Sequence, residues 1–470
     1  MTDTTTELGG RRVCVTGLGV SGPPVARALL ERGARVTVVE GRDDEANRER
    51  ARQLRDLGAT VELGEVGLPE GTELVVTSPG WRPDAPVLAA AADAGIEVIG
   101  DVELAWRLRP ADQVWLAVTG TNGKTTTVRM LEAMLRADGR RALAVGNVGT
   151  PVIEAVLATG EERYDVLAVE LSSFQLHWSS TLRPHAAAIL NIAPDHLDWH
   201  GGMEAYAAAK ARIYGPGTVR VVNAADPLIR TLAETHGDPA APLVGFGTGV
   251  PRAGELGLVE DLLVDRAFVP DPRTGAVELA TLADVVPAAP HNVANALAAA
   301  ALARSAGAAP EAVRAGLHAF RPEPHRIAHV ATVDGVDYVD DSKATNAHAA
   351  AASLAAYPSV VWVAGGLLKG ADVTDLVRDA AGRLRGVVLL GADREQLREA
   401  LEKYAPHVPV VDVARTDEGA MAEVVAAAAR LAQKGDTVLL APAAASMDMF
   451  PNYSERGNAF AREVRALASS

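Results

Sequence analysis

Seven consecutive residues, Gly120-Thr121-Asn122-Gly123-Lys124-Thr125-Thr126, have the types and spacing to grip a chain of phosphates. Glycine lets backbone N–H groups approach an anion, and a helix start behind them adds a favourable dipole. Lys124 supplies a point charge and the Thr125 hydroxyl a ligand for Mg²⁺. The general pattern carries a further glycine where Val118 stands, so this is a shortened variant. Its chemistry is that of a nucleoside triphosphate.

A second glycine loop, Gly17-Leu18-Gly19-Val20-Ser21-Gly22, is followed one strand later by Glu40. This is a near-complete dinucleotide fingerprint, and the same geometry serves any ligand with a pyrophosphate. NAD, another diphosphate, or a plain turn closing helix against strand all remain open for it.

Further candidates stand where strands should end. Glu170 closes Val166-Leu167-Ala168-Val169 and can hold Mg²⁺ against phosphates. Asn191-Ile192-Ala193-Pro194-Asp195-His196-Leu197-Asp198-Trp199-His200 is dense in potential ligands. Three polar loops, Asp340 to Asn346, Gly365 to Lys369 and Ala445 to Asp448, suit carboxylates and ribose hydroxyls and are expected to converge on one cleft. Lys210, flanked by alanines in Ala208-Ala209-Lys210-Ala211, reads as an exposed helical lysine.

These residues need strands that stop in the same plane. The pattern predicts strands at 11–15, 36–39, 74–76 and 97–99, then at 114–118, 166–169, 187–190 and 219–222. A third set follows at 336–339, 360–363, 386–390 and 437–440. Strand alternating with helix implies parallel sheets with crossover connections. Breaks at Arg107–Pro110 and at the proline-marked Phe320-Arg321-Pro322-Glu323-Pro324 divide the chain into 1–109, 110–321 and 322–470. The fold class is α/β in three domains: Rossmann-like, phosphate-loop ATPase-type, and Rossmann-like again. A length of 470 residues agrees with about three domains.

Composition narrows the classes. Hydrophobic residues at 48% against 22% charged belong to a folded chain, and with 4% aromatics the cores must be Ala-, Val- and Leu-built. A net charge of −15 argues against coating nucleic acid or an anionic membrane. One cysteine, Cys14, excludes an intramolecular disulfide and reads as a small buried strand residue. Met1–Gly10 is polar without a signal core, and no apolar stretch reaches a spanning length of ~20 residues. A soluble cytoplasmic protein without membrane insertion is expected.

Taken together, Gly120–Thr125, Glu170–Leu176, Asp195–Asp198, His291–Asn295, Pro324–Arg326 and Asp341–Asn346 resemble the Mur ligase family, and the likeness runs the whole length. Asp341-Ser342-Lys343-Ala344-Thr345-Asn346 resembles the branch that adds D-glutamate. The resemblance implies ATP-dependent amide formation between UDP-N-acetylmuramoyl-L-alanine and D-glutamate, through an acyl phosphate, in peptidoglycan precursor synthesis. It implies that Gly19, Val20, Ser21, Arg42, Ser78, Pro79, Gly80 and Asn147 hold the UDP substrate. ATP would lie on Gly120 to Thr126, Asn292, Asn295, Arg326 and Asp341. Two Mg²⁺ ions would be held by Thr125, Glu170, His196 and Lys210, the last as a carbamate. D-Glutamate would meet Lys343, Thr345, Lys369, Ser446 and Tyr453, and Lys124, Lys210, His196 and Arg326 would be catalytic. A monomer without nucleic-acid partners is implied.

Three positions depart from the family pattern: Tyr453 for phenylalanine, Ala443 for cysteine, and Glu40 for an aspartate-type residue. A folylpolyglutamate synthase is the nearest rival, but ~110 residues precede the phosphate loop here, enough for an extra domain. An NAD oxidoreductase gives Lys124 no role, and a nucleotide-switched scaffold predicts ATP binding without amino-acid-dependent turnover.

Overall fold

Glycine-rich turns follow short, fully buried strands, and that pairing builds each layer of the molecule. The computed structural model describes residues 8–64, 66–417 and 419–469. The chain's first seven residues, most of the polar start considered above, lie outside the described residues.

The first sheet is wholly parallel, in the order β3-β2-β1-β4-β5, from β1 (Arg12–Thr16), β2 (Arg35–Glu40), β3 (Thr60–Leu63), β4 (Leu74–Thr77) and β5 (Val98–Gly100). Strand order reverses between β1 and β4, which opens a crevice at their carboxyl ends where α/β sheets take ligands. The glycine loop leaves β1 on one side of that crevice, and Ser78 leaves β4 on the other.

A second sheet runs β14-β13-β12-β11-β10-β9-β6-β8-β7. Its strands are β6 (Val114–Thr119), β7 (Ala142–Gly146), β8 (Val166–Glu170), β9 (Ala186–Ile189), β10 (Val219–Asn223), β11 (Leu243–Phe246), β12 (Glu255–Val259), β13 (Leu262–Asp265) and β14 (Val277–Thr281). Because β6 lies between β8 and β9, the phosphate loop, Glu170 and Asn191 emerge side by side. The sheet is not parallel throughout as alternation implied. β12–β13 and β13–β14 pair antiparallel, since short turns replace the helical crossovers there.

The third sheet, β15-β16-β20-β17-β18-β19, comprises β15 (Ala328–Val333), β16 (Val336–Asp340), β17 (Val360–Gly365), β18 (Leu384–Leu390), β19 (Val410–Asp412) and β20 (Thr437–Leu440). Only β15 runs antiparallel, joined to β16 by a turn at Asp334-Gly335. β20 sits between β16 and β17, so the three polar loops that follow these strands are neighbours, as expected.

The chain forms two compact units. One carries residues up to Val285 with Val293–Phe320, and hence the first two sheets; the other carries Val286–Asn292 and the residues from Arg321 onward. In the first unit one apolar cluster is continuous from Val13 and Val76 through Val102 and Trp106 to Trp115 and Leu167. Trp106 and Trp115 meet edge to face at 5.3 Å across the join of the two sheets.

Candidate active site

The phosphate loop is assembled before any phosphate arrives. Asn191 pins it at two points, its Oδ1 accepting from the Asn122 N–H at 2.9 Å and its Nδ2 donating to the Asn122 carbonyl at 3.0 Å. The Thr121 hydroxyl lies 3.0 Å from the Tyr206 hydroxyl and accepts from the Ala193 N–H at 3.0 Å. Gly123 begins the helix Lys124–Ala137 at φ 85°, where a side chain would be strained, and an added Cβ would collide with Asn295 Oδ1. Asn295 therefore lies against the loop. Thr125 is buried and Thr126 partly so. Lys124 turns back, its Nζ donating to the carbonyls of Gly120 and Thr121, both at 2.9 Å.

Lys210 corrects its sequence reading. It is 2% exposed, not a surface residue, and its Nζ donates to the Gly120 carbonyl at 2.9 Å. The ammonium group also lies 4.6 Å from the centre of the Tyr206 ring. Burial holds its pKa well below the ordinary 10.5, and the Lys124 charge pushes the same way, against Asp195 and Glu170. A buried lysine beside another cation is an amine ready to react as a nucleophile. No pattern could reveal this, because alanines on both sides give the helix no polar face to contrast with.

Glu170 is 2% exposed; its Oε1 accepts from Asn147 Nδ2 at 2.9 Å while its Oε2 is buried with no hydrogen-bond partner. Asn147, expected to meet the muramoyl part of the substrate, thus stands by the phosphate loop's sheet, whereas the expected uridine and pyrophosphate contacts lie at the first sheet. An orphaned carboxylate oxygen is what a cation would complete. Among the described residues no three His, Cys, Asp or Glu side chains gather to form a cage. One carboxylate oxygen, a hydroxyl at Thr125 and an amine open to modification suit Mg²⁺, which keeps waters and takes its remaining ligands from phosphates. His196 adopts φ 53° and packs on Phe174 at 4.7 Å, with Asp195 3.6 Å from its Nε2. Burial lowers its pKa, Asp195 opposes that, and Lys210 and Lys124 add to it.

At the first sheet, Glu40 accepts from the N–H groups of Leu18 and Arg42, each at 3.0 Å. Its carboxylate holds the glycine loop in shape, a structural use that the dinucleotide reading did not foresee. Gly22 cannot carry a side chain, since its Cβ would run into the Gly17 carbonyl oxygen. Gly19 faces open space and Val20 is 77% exposed, so this tip is free to meet a ligand. Burial raises the pKa of Asp101, and the Ser21 hydroxyl favours its anion. The Ser78 hydroxyl donates to the Thr16 carbonyl at 2.7 Å, and Pro79 and Gly80 lie in the turn closed by Trp81 N–H on the Ser78 carbonyl. Arg42 is mostly exposed, 3.7 Å from Glu40.

The second unit presents the other set. Leu367 and Ala445 exchange two backbone hydrogen bonds of 2.9 Å, which joins the two loops that carry Lys369 and Ser446. Lys369 is exposed at φ 53°, and Ser446 is buried. Lys343 Nζ lies 3.8 Å from the centre of the Tyr453 ring, and the Thr345 N–H donates to the Lys343 carbonyl at 2.8 Å. Arg456, 1% exposed and unremarked by sequence pattern, clamps these loops. It donates to the Ser342 hydroxyl at 3.0 Å, the Ser342 carbonyl at 2.9 Å and the Ala444 carbonyl at 3.0 Å. His325 Nδ1 lies 2.6 Å from Asp340 beneath them. Arg326 is paired with Glu323 at 3.3 Å, and Asn292 Nδ2 donates to the Val286 and Pro287 carbonyls.

Asp341 hydrogen-bonds the Ser353 hydroxyl and the Ile327 N–H. Burial pushes its pKa up to about 6, although Ser353 and Arg326 favour the anion. A folded pKa above the ordinary 3.8 means the folded state binds the proton more tightly, so stability falls as pH rises from 3.8 through 6. A rise of that size is equivalent to about 3 kcal/mol. Asp341→Asn, which does not ionise, is expected to unfold at a higher temperature than the parent at pH 8 and at an equal one near pH 4. A gap independent of pH in scanning calorimetry would refute this.

A parallel-sheet phosphate loop, a carboxylate ending the next strand and a buried lysine define an ATP-using ligase of three α/β domains. Three family models match: a Mur ligase MurD-like N-terminal domain over residues 11–100, a Mur ligase middle domain over 118–303, and a Mur ligase glutamate ligase domain over 325–444. The UDP-N-acetylmuramoylalanine--D-glutamate ligase of Thermobifida fusca (strain YX) is 86% identical, covering 98% of this chain and 100% of that protein. The protein of the same name from Streptomyces avermitilis is 62% identical over 98% and 99%. Among solved structures, MurF from Acinetobacter baumannii superposes with a TM-score of 0.60 at 19% identity, covering 96% of this chain and 93% of that one. This chain belongs to the Mur ligase family. The N-terminal match sets the folylpolyglutamate synthase reading aside, and the family sets aside the oxidoreductase.

Proposed function

We propose that this chain joins UDP-N-acetylmuramoyl-L-alanine to D-glutamate with cleavage of ATP to ADP and phosphate. The observation that carries the reading is Lys210, a buried amine within the electrostatic reach of Lys124, Glu170, Asp195 and His196. The substrate carboxylate would attack the γ-phosphorus, breaking its bond to ADP and giving an acyl phosphate. The D-glutamate ammonium group would lose a proton to become the amine that attacks the carbonyl carbon, and phosphate would leave from the tetrahedral adduct as the nitrogen gives up a second proton to solvent. Lys124 and the loop N–H groups would offset the charge that grows on the transferred phosphoryl group. Bound Mg²⁺ would supply further charge neutralisation there, held by Thr125, Glu170, His196 and a carbamate on Lys210. Arg326, Asp341, Asn292 and Asn295 would hold ATP.

In this reading the glycine loop at Gly19–Ser21, with Arg42, Ser78–Gly80 and Asn147, takes the UDP-muramoyl chain. Lys343, Thr345, Lys369, Ser446 and Tyr453 take the two carboxylates of D-glutamate. Domain limits at 109/110 and 321/322, a monomeric state and a cytoplasmic setting belong to the same proposal; among the described residues no helix is long and apolar enough to cross a membrane. Phosphate release is the test, with ATP, Mg²⁺ and the muramoyl precursor present and D- or L-glutamate added in parallel. Release that requires the precursor and the D-isomer supports the proposal. Release with another amino acid, but not D-glutamate, would overturn the substrate assignment.

A further inference from the structure

Between the first and second sheets of the first unit stands one short helix, Asp101–Leu108, which follows directly on β5 of the first sheet. Its third residue, Glu103, is 0% exposed and meets a segment that leaves the second sheet. Glu103 Oε2 accepts from the Ser180 N–H at 3.0 Å and the Thr181 N–H at 3.1 Å. Its Oε1 accepts from the Thr181 hydroxyl at 2.6 Å and from Arg107 Nε at 2.9 Å. Ser180 and Thr181 end the segment that begins at Glu170 and passes through the capped helix Ser173–His177. Just before the helix, the Gly100 N–H donates to the Trp178 carbonyl at 2.9 Å.

Apolar packing alone does not set this register. The continuous cluster around Trp106 and Trp115 is attractive but non-directional, so it tolerates small sliding of one sheet over the other. A buried carboxylate does not, because losing any of its donors leaves charge uncompensated. Arg107 lies on the carboxylate's own helix, but Ser180 and Thr181 are 77 and 78 residues away, so their bonds tie that helix to a distant segment.

We propose that Glu103 is a positioning residue that fixes the span between the diphosphate loop at Gly17–Gly22 and the centre at Glu170 and Lys210. The substrate assigned above has its nucleotide at one end and its reacting carboxylate at the other. Holding that span constant converts nucleotide binding into correct placement of the carboxylate. This use of the span rests on the proposed function; the span itself does not.

Two measurements separate these claims. Spin labels at Leu57→Cys, at the end of the helix Glu45–Asp56 that leads into β3, and Leu228→Cys, in the helix Pro227–His236 that follows β10, are both exposed and report the span by pulsed dipolar spectroscopy; the native Cys14 is fully buried. Glu103→Ala is expected to broaden or shift the distance distribution, and an unchanged distribution would overturn the pin whatever the enzyme does. Turnover is then compared for UDP-N-acetylmuramoyl-L-alanine and for N-acetylmuramoyl-L-alanine without the nucleotide. Glu103→Ala is expected to lower kcat/KM for the first by roughly ten- to a hundredfold and leave the second within about twofold. Equal loss with both would mean general damage and defeat the ruler. Ser180→Ala with Thr181→Val, which removes only two hydroxyl donors, repeats both readings where Glu103→Ala folds poorly. An unsubstituted protein that fails to turn over the nucleotide substrate would defeat the proposed function, with the spin-label result still deciding the pin.

Discussion

Replacing Lys210 by alanine is expected to lower turnover roughly 10³-fold, equivalent to about 4 kcal/mol of lost transition-state stabilisation. Lys210 is a buried amine that donates to a single carbonyl, that of Gly120. Left cationic, it would sit beside Lys124 and repel it. Reaction of the neutral amine with CO₂ forms an N–C bond, releases a proton and turns the site anionic, which favours a divalent cation beside Glu170. The lowered pKa increases the share of the neutral, reactive amine, and the carbamate is lost as acid protonates that amine. Turnover of the parent should therefore fall on acidification and on exhaustive removal of CO₂, returning with bicarbonate. In Lys210→Ala, a small carboxylate such as acetate should restore part of the rate by occupying the vacated space. Lys210→Arg, which keeps a cation and cannot be carbamylated in the same way, should be as inactive as the alanine variant. Full activity in Lys210→Arg would remove the carbamate from the account.

The second large effect belongs to Lys124. In Lys124→Met the helix start and loop backbone should persist, because Asn191, Tyr206 and Ala193 hold them without the ammonium group. Turnover is expected to fall by roughly 10²–10³ while the UDP precursor binds with unchanged affinity in calorimetry. Lys124→Arg should not restore the rate, since a planar fork cannot replace a compact charge within a tight loop. Weakened precursor binding in Lys124→Met would show that the two sites are not independent.

Much of this site was legible because function and fold use the same signal. A buried hydrophobic run that stops at a polar residue or a glycine marks a strand end, and the candidate ligands were sought there: Gly120, Glu170, Asn191 and Asp341 stand at or just past the ends of β6, β8, β9 and β16, and Ser446 lies in the loop after β20. Topology then did what sequence cannot. Only the insertion of β20 between β16 and β17 makes the loops that carry Lys343, Ser446 and Lys369 adjacent. The antiparallel strands β12 to β14 were missed because their short runs, such as Glu255–Val259, alternate too briefly to stand out. Lys210, Arg456 and Glu103 were misread or unseen for a common reason. Each is a charged residue on a helix, where polar type ordinarily means solvent, and each is buried by partners distant in sequence.

Several residues other than glycine hold left-handed backbone, among them His196, His325, Lys369 and Ala443 in the segments that carry candidate ligands. Each such residue stores about 1 kcal/mol or more of local strain that glycine or asparagine would relieve. Selection of this protein for heat resistance alone would therefore favour those replacements at His196 and Lys369 first. The survivors would be tougher and catalytically poor, and the map of positions enriched would trace the site without any substrate having been supplied.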